Sequence, residues 1–453
     1  MNHKLTLSSY VAVGSMLFGM FFGAGNLIFP VHMGQEAGSN VFWANIGFLL
    51  TGVGLPFLGI LAIGVSNSNG LHDLASRVNP CYATILTILL YITIGPAFAL
   101  PRTATVSYEI GLAPHIGAGY QAMGLAVFTL IFFVVAAIFS LNSSKILIWI
   151  GKILNPLFLL FLALLIFISF YSPMGEVTSA VVHSSYTNNA FFKGFTEGYN
   201  TMDALASLAF GIIVVQTLKG LGLKNPKEIA MGTLKAGFVS VILMAIIYTC
   251  LSYLGATSVA KFELSANGGI ALAQVADYYF GSMGSILLAV IVTLACLKTA
   301  IGLITACSET FHELYPNSLS YKGFVYLFTI VGYLVGNVGL TQIITLAIPV
   351  LMFLYPLAIT LILLAFLSPL FAHRQIVYKI TTWFTLIAAC GDALNAVPAG
   401  VKSLAVVQDI LSVYQYLPFF SLGMGWVVPA LIGFIVGLGI MFTTTNNSLK
   451  KDQ

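Results

Sequence analysis

The sequence predicts an all-α polytopic membrane protein of twelve transmembrane helices, arranged as two inverted five-helix repeats plus two additional helices. Three observations predict it. The chain of 453 residues is 59% hydrophobic and only 7% charged, whereas a soluble domain carries about 25% charged residues. Its apolar runs are long and continuous, as bilayer-crossing helices of about 20 residues require, and they lack the alternation of a membrane barrel. Two runs, the first and the sixth, carry matching interruptions by glycine and polar residues.

The first run, Leu5 to Gln35, holds no Asp, Glu, Lys or Arg. It is too long for the core of a signal peptide and reads as a span over about 8–31. In its middle stand Gly23, Ala24, Gly25 and Asn26, with Pro30 beyond. Glycine frees the backbone there. Open backbone at mid-depth is tolerated only where it lines an enclosed cavity, because lipid offers no hydrogen-bond partner. Taken alone, the same residues would also suit a small-residue contact between helices. Spans two to five follow at about 41–65, 80–110, 120–140 and 146–171, and the third is unusually long. Span six, about 191–218, carries the second interruption, Glu197-Gly198-Tyr199-Asn200-Thr201-Met202-Asp203, with Gly211 further on. Spans seven to ten, about 232–256, 282–312, 322–339 and 341–367, repeat the cadence, and spans eleven and twelve occupy about 376–398 and 419–443.

Five is an odd number, so the second set of five must insert upside down relative to the first. Paired interruptions in two inverted repeats are the sequence mark of a midplane ligand site in secondary transporters. The organisation is thus one membrane domain: 1–175 as the first repeat, 190–368 as the second, and 376–443 as two further helices. The connections 172–190 and 257–281 have room for short surface helices. With the N-terminus in the cytoplasm, thirteen Lys and Arg fall at inner ends (Lys4, Lys145, Lys152, Lys224, Lys227, Lys450 and Lys451 among them) and four at outer ends, with Lys298 in mid-span. That asymmetry places both termini inside. The net charge of +4 therefore reflects topology, and no nucleic-acid partner is implied. No phosphate-binding loop of the G-x-x-x-x-G-K-[ST] type occurs, which argues against an ATP-driven pump, and no H-E-x-x-H zinc motif occurs. The five cysteines, Cys81, Cys250, Cys296, Cys307 and Cys390, lack metal spacing and indicate no disulfide framework. No cofactor and no obligatory protein partner is indicated; the bilayer itself is the surrounding partner.

Three segments resemble a known family. They are Phe18-Gly19-Met20-Phe21-Phe22-Gly23-Ala24-Gly25-Asn26-Leu27-Ile28-Phe29-Pro30, Gly95-Pro96-Ala97-Phe98-Ala99-Leu100-Pro101-Arg102-Thr103-Ala104, and Tyr199-Asn200-Thr201-Met202-Asp203-Ala204-Leu205-Ala206. They are similar to motifs of the bacterial branched-chain amino acid:cation symporters, within the amino acid–polyamine–organocation superfamily, and the likeness runs nearly the full chain. The resemblance implies a leucine-transporter-type five-plus-five fold with broken helices one and six. It also implies secondary uptake of leucine, isoleucine and valine across the bacterial cytoplasmic membrane, coupled to a cation, which the family pattern makes Na+.

The residues divide by chemistry. Gly23, Ala24 and Gly25 would present backbone N–H groups to a substrate carboxylate. Asn26 could offer its side-chain carbonyl to a cation or to the substrate amine, or cap the helix; a sodium role rests on the resemblance alone. Asp203, an ionisable group in mid-span, is a functional candidate by default: it could accept from the substrate ammonium, hold a cation, exchange a proton, or cap the second half of its helix. Tyr199, Asn200, Thr201 and Met202 are further lining candidates, and Phe22, Phe29 and Phe210 are candidate apolar walls. Arg102 and Glu109, seven apart on span three, share a face near the outer end and suit either an external gate or a structural pair. Asp392 in span eleven reads as a structural or interfacial group.

Lys298 departs from the family pattern, which the resemblance gives as a hydroxyl residue at a sodium site formed with the first broken helix. A compact ammonium could stand where the ion would stand, and a lysine held out of water can also exchange protons. Lys298 could equally be a structural partner of Asp203 or of carbonyls, with Thr299 and Thr305 still binding sodium. Coupling to protons, to sodium or to no ion stays open at this point. So do two other functions, an ion channel and an amino acid sensor without transport.

Overall fold

The computed structural model describes residues 6–141, 146–223 and 225–449. Lys4, Lys145, Lys224, Lys450 and Lys451 of the charge count lie outside the described residues, as do the side chains of Lys152 and Lys227. Among the described residues there are helices and no strands. The first span is split into α1 (Leu7–Phe21) and α2 (Ala24–Ala37). Span two is α3 (Val41–Leu49), one π-turn, and α4 (Leu55–Val65). After the short α5 (Leu71–Ser76), span three comprises α6 (Pro80–Ile92) and α7 (Ala99–Gly111). Spans four and five are α8 (Gln121–Leu141) and α9 (Ile146–Tyr171). Span six is split into α10 (Ala190–Glu197) and α11 (Asp203–Gly220). Next come α12 (Pro226–Ser258), α13 (Gly268–Leu314), α14 (Tyr321–Gly336) and α15 (Leu340–Leu367). The C-terminal part holds α16 (Gln375–Asn395), the short α17 (Ala399–Lys402), α18 (Ala405–Tyr414) and α19 (Val427–Leu449).

Six helical stretches among the described residues are long and apolar enough to cross a bilayer: Ala24–Val65, Pro80–His115, Ala118–Leu141, Glu228–Ser258, Gly268–Leu314 and Leu340–Phe371. The bent pair Asp203–Gly211 and Ile213–Gly220 would make a seventh. The other apolar helices, such as Leu7–Phe21 and Tyr321–Gly336, are shorter.

Two details differ from the sequence reading. Span three is not one continuous helix: Gly95 leaves helical geometry and Pro96 follows, so the axis kinks between α6 and α7. Proline removes a helix hydrogen bond and clashes with the preceding turn. In the 257–281 connection, residues from Gly268 onward are already helical, and only Gly281, at φ 59°, separates them from the membrane part of α13.

Glycine sets how closely these helices approach. A Cβ on Gly34 of α2 would run into the Ser252 carbonyl of α12, and one on Gly255 of α12 into Val31 of α2. The pairing of α3 with α10 works the same way, through Gly47 against Phe191 and Gly194 against Ala44. Without a hydrophobic force between helices in lipid, association depends on such close backbone contact. Asp392, fully buried, accepts hydrogen bonds from the backbone N–H groups of Gly425 and Trp426 at 3.1 Å each, which ties α16 to the start of α19. This fits its structural reading.

Replacing Gly194 by valine forces overpacking between α3 and α10, which typically costs ~1–3 kcal/mol. The variant is expected to melt at lower temperature in detergent, while Gly400→Val, where nothing lies within 4 Å of the added carbon, melts with the parent. Equal melting of both variants would contradict this packing.

Candidate substrate site between two broken helices

The site is built on the two helix breaks. α1 stops at Phe21, and Phe22 takes an extended conformation. Gly23 is extended as well, and α2 starts at Ala24. This leaves backbone carbonyls of α1 and N–H groups of α2 without helical partners at the same depth. In span six, α10 passes through one tight 3-10 turn, Gly198–Thr201, and Met202 then takes a left-handed conformation at φ 63° before α11 begins at Asp203. A non-glycine residue there is uncommon and held by its surroundings.

The breaks meet through side chains. The Asn26 amide donates to Asp203 Oδ2 at 2.5 Å and to the Tyr248 hydroxyl. The Tyr248 hydroxyl donates to the same Asp203 oxygen at 3.1 Å. Asn26 Oδ1 accepts from the Gly23 N–H at 2.9 Å, which pins the turn. Asn26, Asp203 and Tyr248 are all buried, and a buried carboxylate persists only when hydrogen-bonded or paired. In this arrangement the Asn26 carbonyl caps the turn through one of its two lone pairs. Asp203 does not cap its own helix; its carboxylate points across to the first break instead.

Basic side chains close the carbonyl ends. Arg102 Nη1 donates to the Asn200 carbonyl at 2.6 Å and Nη2 to that of Thr201 at 3.3 Å. Its guanidinium lies 5.0 Å from the Phe29 ring centre, and a Cβ on Gly25 would come within 2.7 Å of Nη2. Lys298 Nζ donates to the Gly19 carbonyl at 3.0 Å, at the end of α1. Cations at helix C-termini offset the negative end of the dipole. Thr299 donates to the Ala295 carbonyl at 3.2 Å and lies beside Gly23. Thr305 stands six residues further along α13, about 9 Å along the axis.

Arg102 and Glu109, suited from the sequence to an external gate or a structural pair, do not pair in this structure. Arg102 is only 5% exposed and is drawn inward by the carbonyls of span six. Glu109 packs beside Gly269 at the start of α13. Seven residues separate the two by about 10 Å along a helix, and the ion pair present among the described residues is instead Lys193–Glu197, at 3.2 Å.

The other predicted residues separate. Asn200 and Thr201 contribute backbone carbonyls rather than side chains: the Asn200 amide turns to Glu197 at 2.8 Å and the Thr201 hydroxyl to the Gly198 carbonyl at 3.0 Å. Tyr199 stacks on Tyr355 of α15, with ring centres 4.1 Å apart. Ala24 and Phe22 line a small cavity of about 10 Å³ with Gly19, Gly23, Leu159 and Cys296. Phe29 serves Arg102, and Phe210 is half-buried on α11 away from that cavity. Sequence reasoning missed Tyr248 and Tyr355, two of 20 tyrosines with no local pattern to mark them. The buried Arg102 Nε, Tyr199 Oη and Tyr355 Oη have no hydrogen-bond partner among the described residues.

The family model described as Branched-chain amino acid transport protein matches residues 6–444. The chain belongs to this family. It is 45% identical to the branched-chain amino acid permease BrnQ of Bacillus subtilis, over 99% of this chain and 100% of that one. It is also 45% identical to BrnQ of Lactobacillus delbrueckii subsp. lactis, over 96% and 97% of the two chains. The branched-chain amino acid transport system 2 carrier protein of Pseudomonas aeruginosa is 37% identical, over 94% and 95%. These relatives are named as permeases and carriers, not as enzymes, and the chain is a multi-pass membrane protein like them. Among solved structures it resembles Mhp1, a nucleobase-cation-symport-1 family transporter, in a closed conformation with bromovinylhydantoin bound. That TM-score is 0.58 at 14% identity, covering 97% of this chain and 93% of that one. The inward-facing conformation of Mhp1 gives a TM-score of 0.61 at 14% identity, over 97% and 91%. At that identity the likeness concerns the fold alone.

In this member of the branched-chain amino acid transport protein family, Tyr248→Phe removes one donor from a buried carboxylate, a loss of ~1–3 kcal/mol. We expect a lower melting temperature and weaker leucine binding to purified protein. Parent-like values for both would show that the Asp203 cluster carries no weight.

Proposed function

We propose that the chain is a secondary carrier that takes up leucine, isoleucine and valine across the cytoplasmic membrane, with the zwitterion held between the two helix breaks. The observation that carries this reading is the Asn26–Asp203 hydrogen bond across the breaks, in a chain whose relatives are named branched-chain amino acid permeases. A zwitterion needs an acceptor for its ammonium and donors for its carboxylate. Asp203 is the acceptor: the ammonium is taken by the carboxylate that the Asn26 amide and the Tyr248 hydroxyl hold in place. The first-turn N–H groups of Ala24 and Gly25 are the donors, at the positive end of α2. The apolar walls near Phe22 supply a dry surface for the branched side chain, where each methylene is worth ~1–3 kcal/mol in discrimination.

The wider architecture in this reading is twelve spans, with 1–175 and 190–368 as inverted repeats, 376–443 as two further spans, and both termini in the cytoplasm. Pseudo-symmetric contacts support it. Span one packs on span seven through Gly34 and Gly255, and span two on span six through Gly47 and Gly194. Span three sends Arg102 to the carbonyls of span six, and span eight sends Lys298 to a carbonyl of span one. Each broken helix therefore receives a built-in cation from the third span of the opposite repeat.

Lys298 in this reading occupies the place of a coupling cation, so transport runs on protons or without ion coupling. A second reading keeps sodium: the Thr299 hydroxyl lies beside Gly23 at the first break, where an oxygen-rich ion site would need it. Leucine uptake into proteoliposomes under an imposed sodium gradient and an imposed pH gradient separates the two. The proposal expects no accumulation from sodium alone, and a gain of sodium dependence in Lys298→Thr. Sodium-driven accumulation with no response to pH would overturn the lysine-as-cation reading. Leucine–leucine counterflow distinguishes a carrier from a channel or from a sensor that only binds, and its absence would overturn transport itself.

A further inference from the structure

The largest cavity described lies far from the helix breaks, between α6, α15 and α16, with a volume of about 490 Å³. This is within the range of small-molecule sites, about 300–1,000 Å³. Its two ends differ in character. One end holds Asn79 and Tyr82 at the start of α6, and Lys379 in the second turn of α16. The other is apolar, walled by Leu89, Phe353 and Leu386. From Tyr82 to Leu89 on α6, and from Lys379 to Leu386 on α16, the step is seven residues, about 10 Å along each helix. The groove therefore runs from helix ends, at the depth of a bilayer interface, toward the hydrocarbon. Its wall opens to the outside of the bundle, since Ile85 is 53% and Trp383 61% exposed.

Two polar groups of residues lining the groove are left unanswered by the protein. Lys379 is half-buried and has no hydrogen bond or ion pair among the described residues. The Tyr82 hydroxyl is shut off from solvent and has no partner among the described residues. Neighbouring Arg77 is already committed, with its guanidinium donating to the Ser66 carbonyl at 2.5 Å and to the Tyr378 hydroxyl at 3.5 Å. The hydroxyl is closed off from the groove, whereas the unpaired ammonium at its mouth suits an anion that also accepts hydrogen bonds, and a phosphate is both. The apolar remainder demands a hydrocarbon chain. Basic pockets between transmembrane helices at an interface are the setting in which anionic headgroups bind.

We propose that this groove is a binding site for an anionic phospholipid, with its phosphate on Lys379 at the mouth and one acyl chain along Leu89, Phe353 and Leu386. The site joins α16 to the α6–α15 pair and so ties the spans outside the two repeats to the transport core.

Native mass spectrometry of the full chain, released from nanodiscs of equal phosphatidylglycerol and phosphatidylcholine, tests this directly. The parent protein is expected to retain phosphatidylglycerol over phosphatidylcholine by about fivefold, the effect of one basic residue at the interface. Lys379→Gln is expected to bring the ratio near unity, and Ile85→Trp, which fills the groove, to remove retained lipid of both kinds, with melting temperatures confirming that both variants are folded. An unchanged ratio in Lys379→Gln would overturn the proposal. So would undiminished lipid retention in Ile85→Trp, displacement of the lipid by glycerol phosphate alone, or a lipid-free dimer that dissociates in Ile85→Trp.

Discussion

A carboxylate buried at the middle of a membrane protein must be answered by donors from the protein itself, and that requirement organises this structure. Asp203 takes its donors from two other spans, Asn26 of the first and Tyr248 of the seventh. Removing a charge from water costs several kcal/mol unless it is compensated, so spans one, six and seven cannot separate without exposing that cost. Asn26 can serve because Gly23 and its neighbours halt the helix and orient the amide through the Gly23 N–H. The break in the backbone and the polar cluster thus depend on each other.

The same logic explains the cations. Breaking a helix in mid-membrane leaves carbonyls bare where no water can reach them freely. Arg102 answers those of Asn200 and Thr201 with a rigid fork, and Phe29 and Gly25 provide the flat surface on which that fork lies. Lys298 answers Gly19. Arginine and lysine are not equivalent in these roles: one spans two carbonyls in fixed geometry, while the other is a point charge on a flexible stem.

The breaks were legible in the sequence because glycine, asparagine and aspartate at mid-span conflict with everything around them. The close glycine contacts between helices were visible as residues but not as pairs, since partners such as Gly34 and Ser252 are more than 200 positions apart. Arg102 was misread for a related reason. Its place near the outer end of span three suggested access to water, but the kink at Gly95–Pro96 and the bare carbonyls of span six draw it inward. Tyr248 left no signal at all, because one tyrosine among 20 shows its role only once the helix carrying it is placed.

The most direct test of the account is a double-mutant cycle between Asn26 and Asp203, read in the leucine affinity and the melting temperature of Asn26→Ala, Asp203→Ala and the double variant. If the two breaks are joined through this pair, the single effects will not add, and the coupling will be ~1–3 kcal/mol. Effects that add to within about 0.5 kcal/mol would mean that the breaks act independently, and the site between them would have to be abandoned.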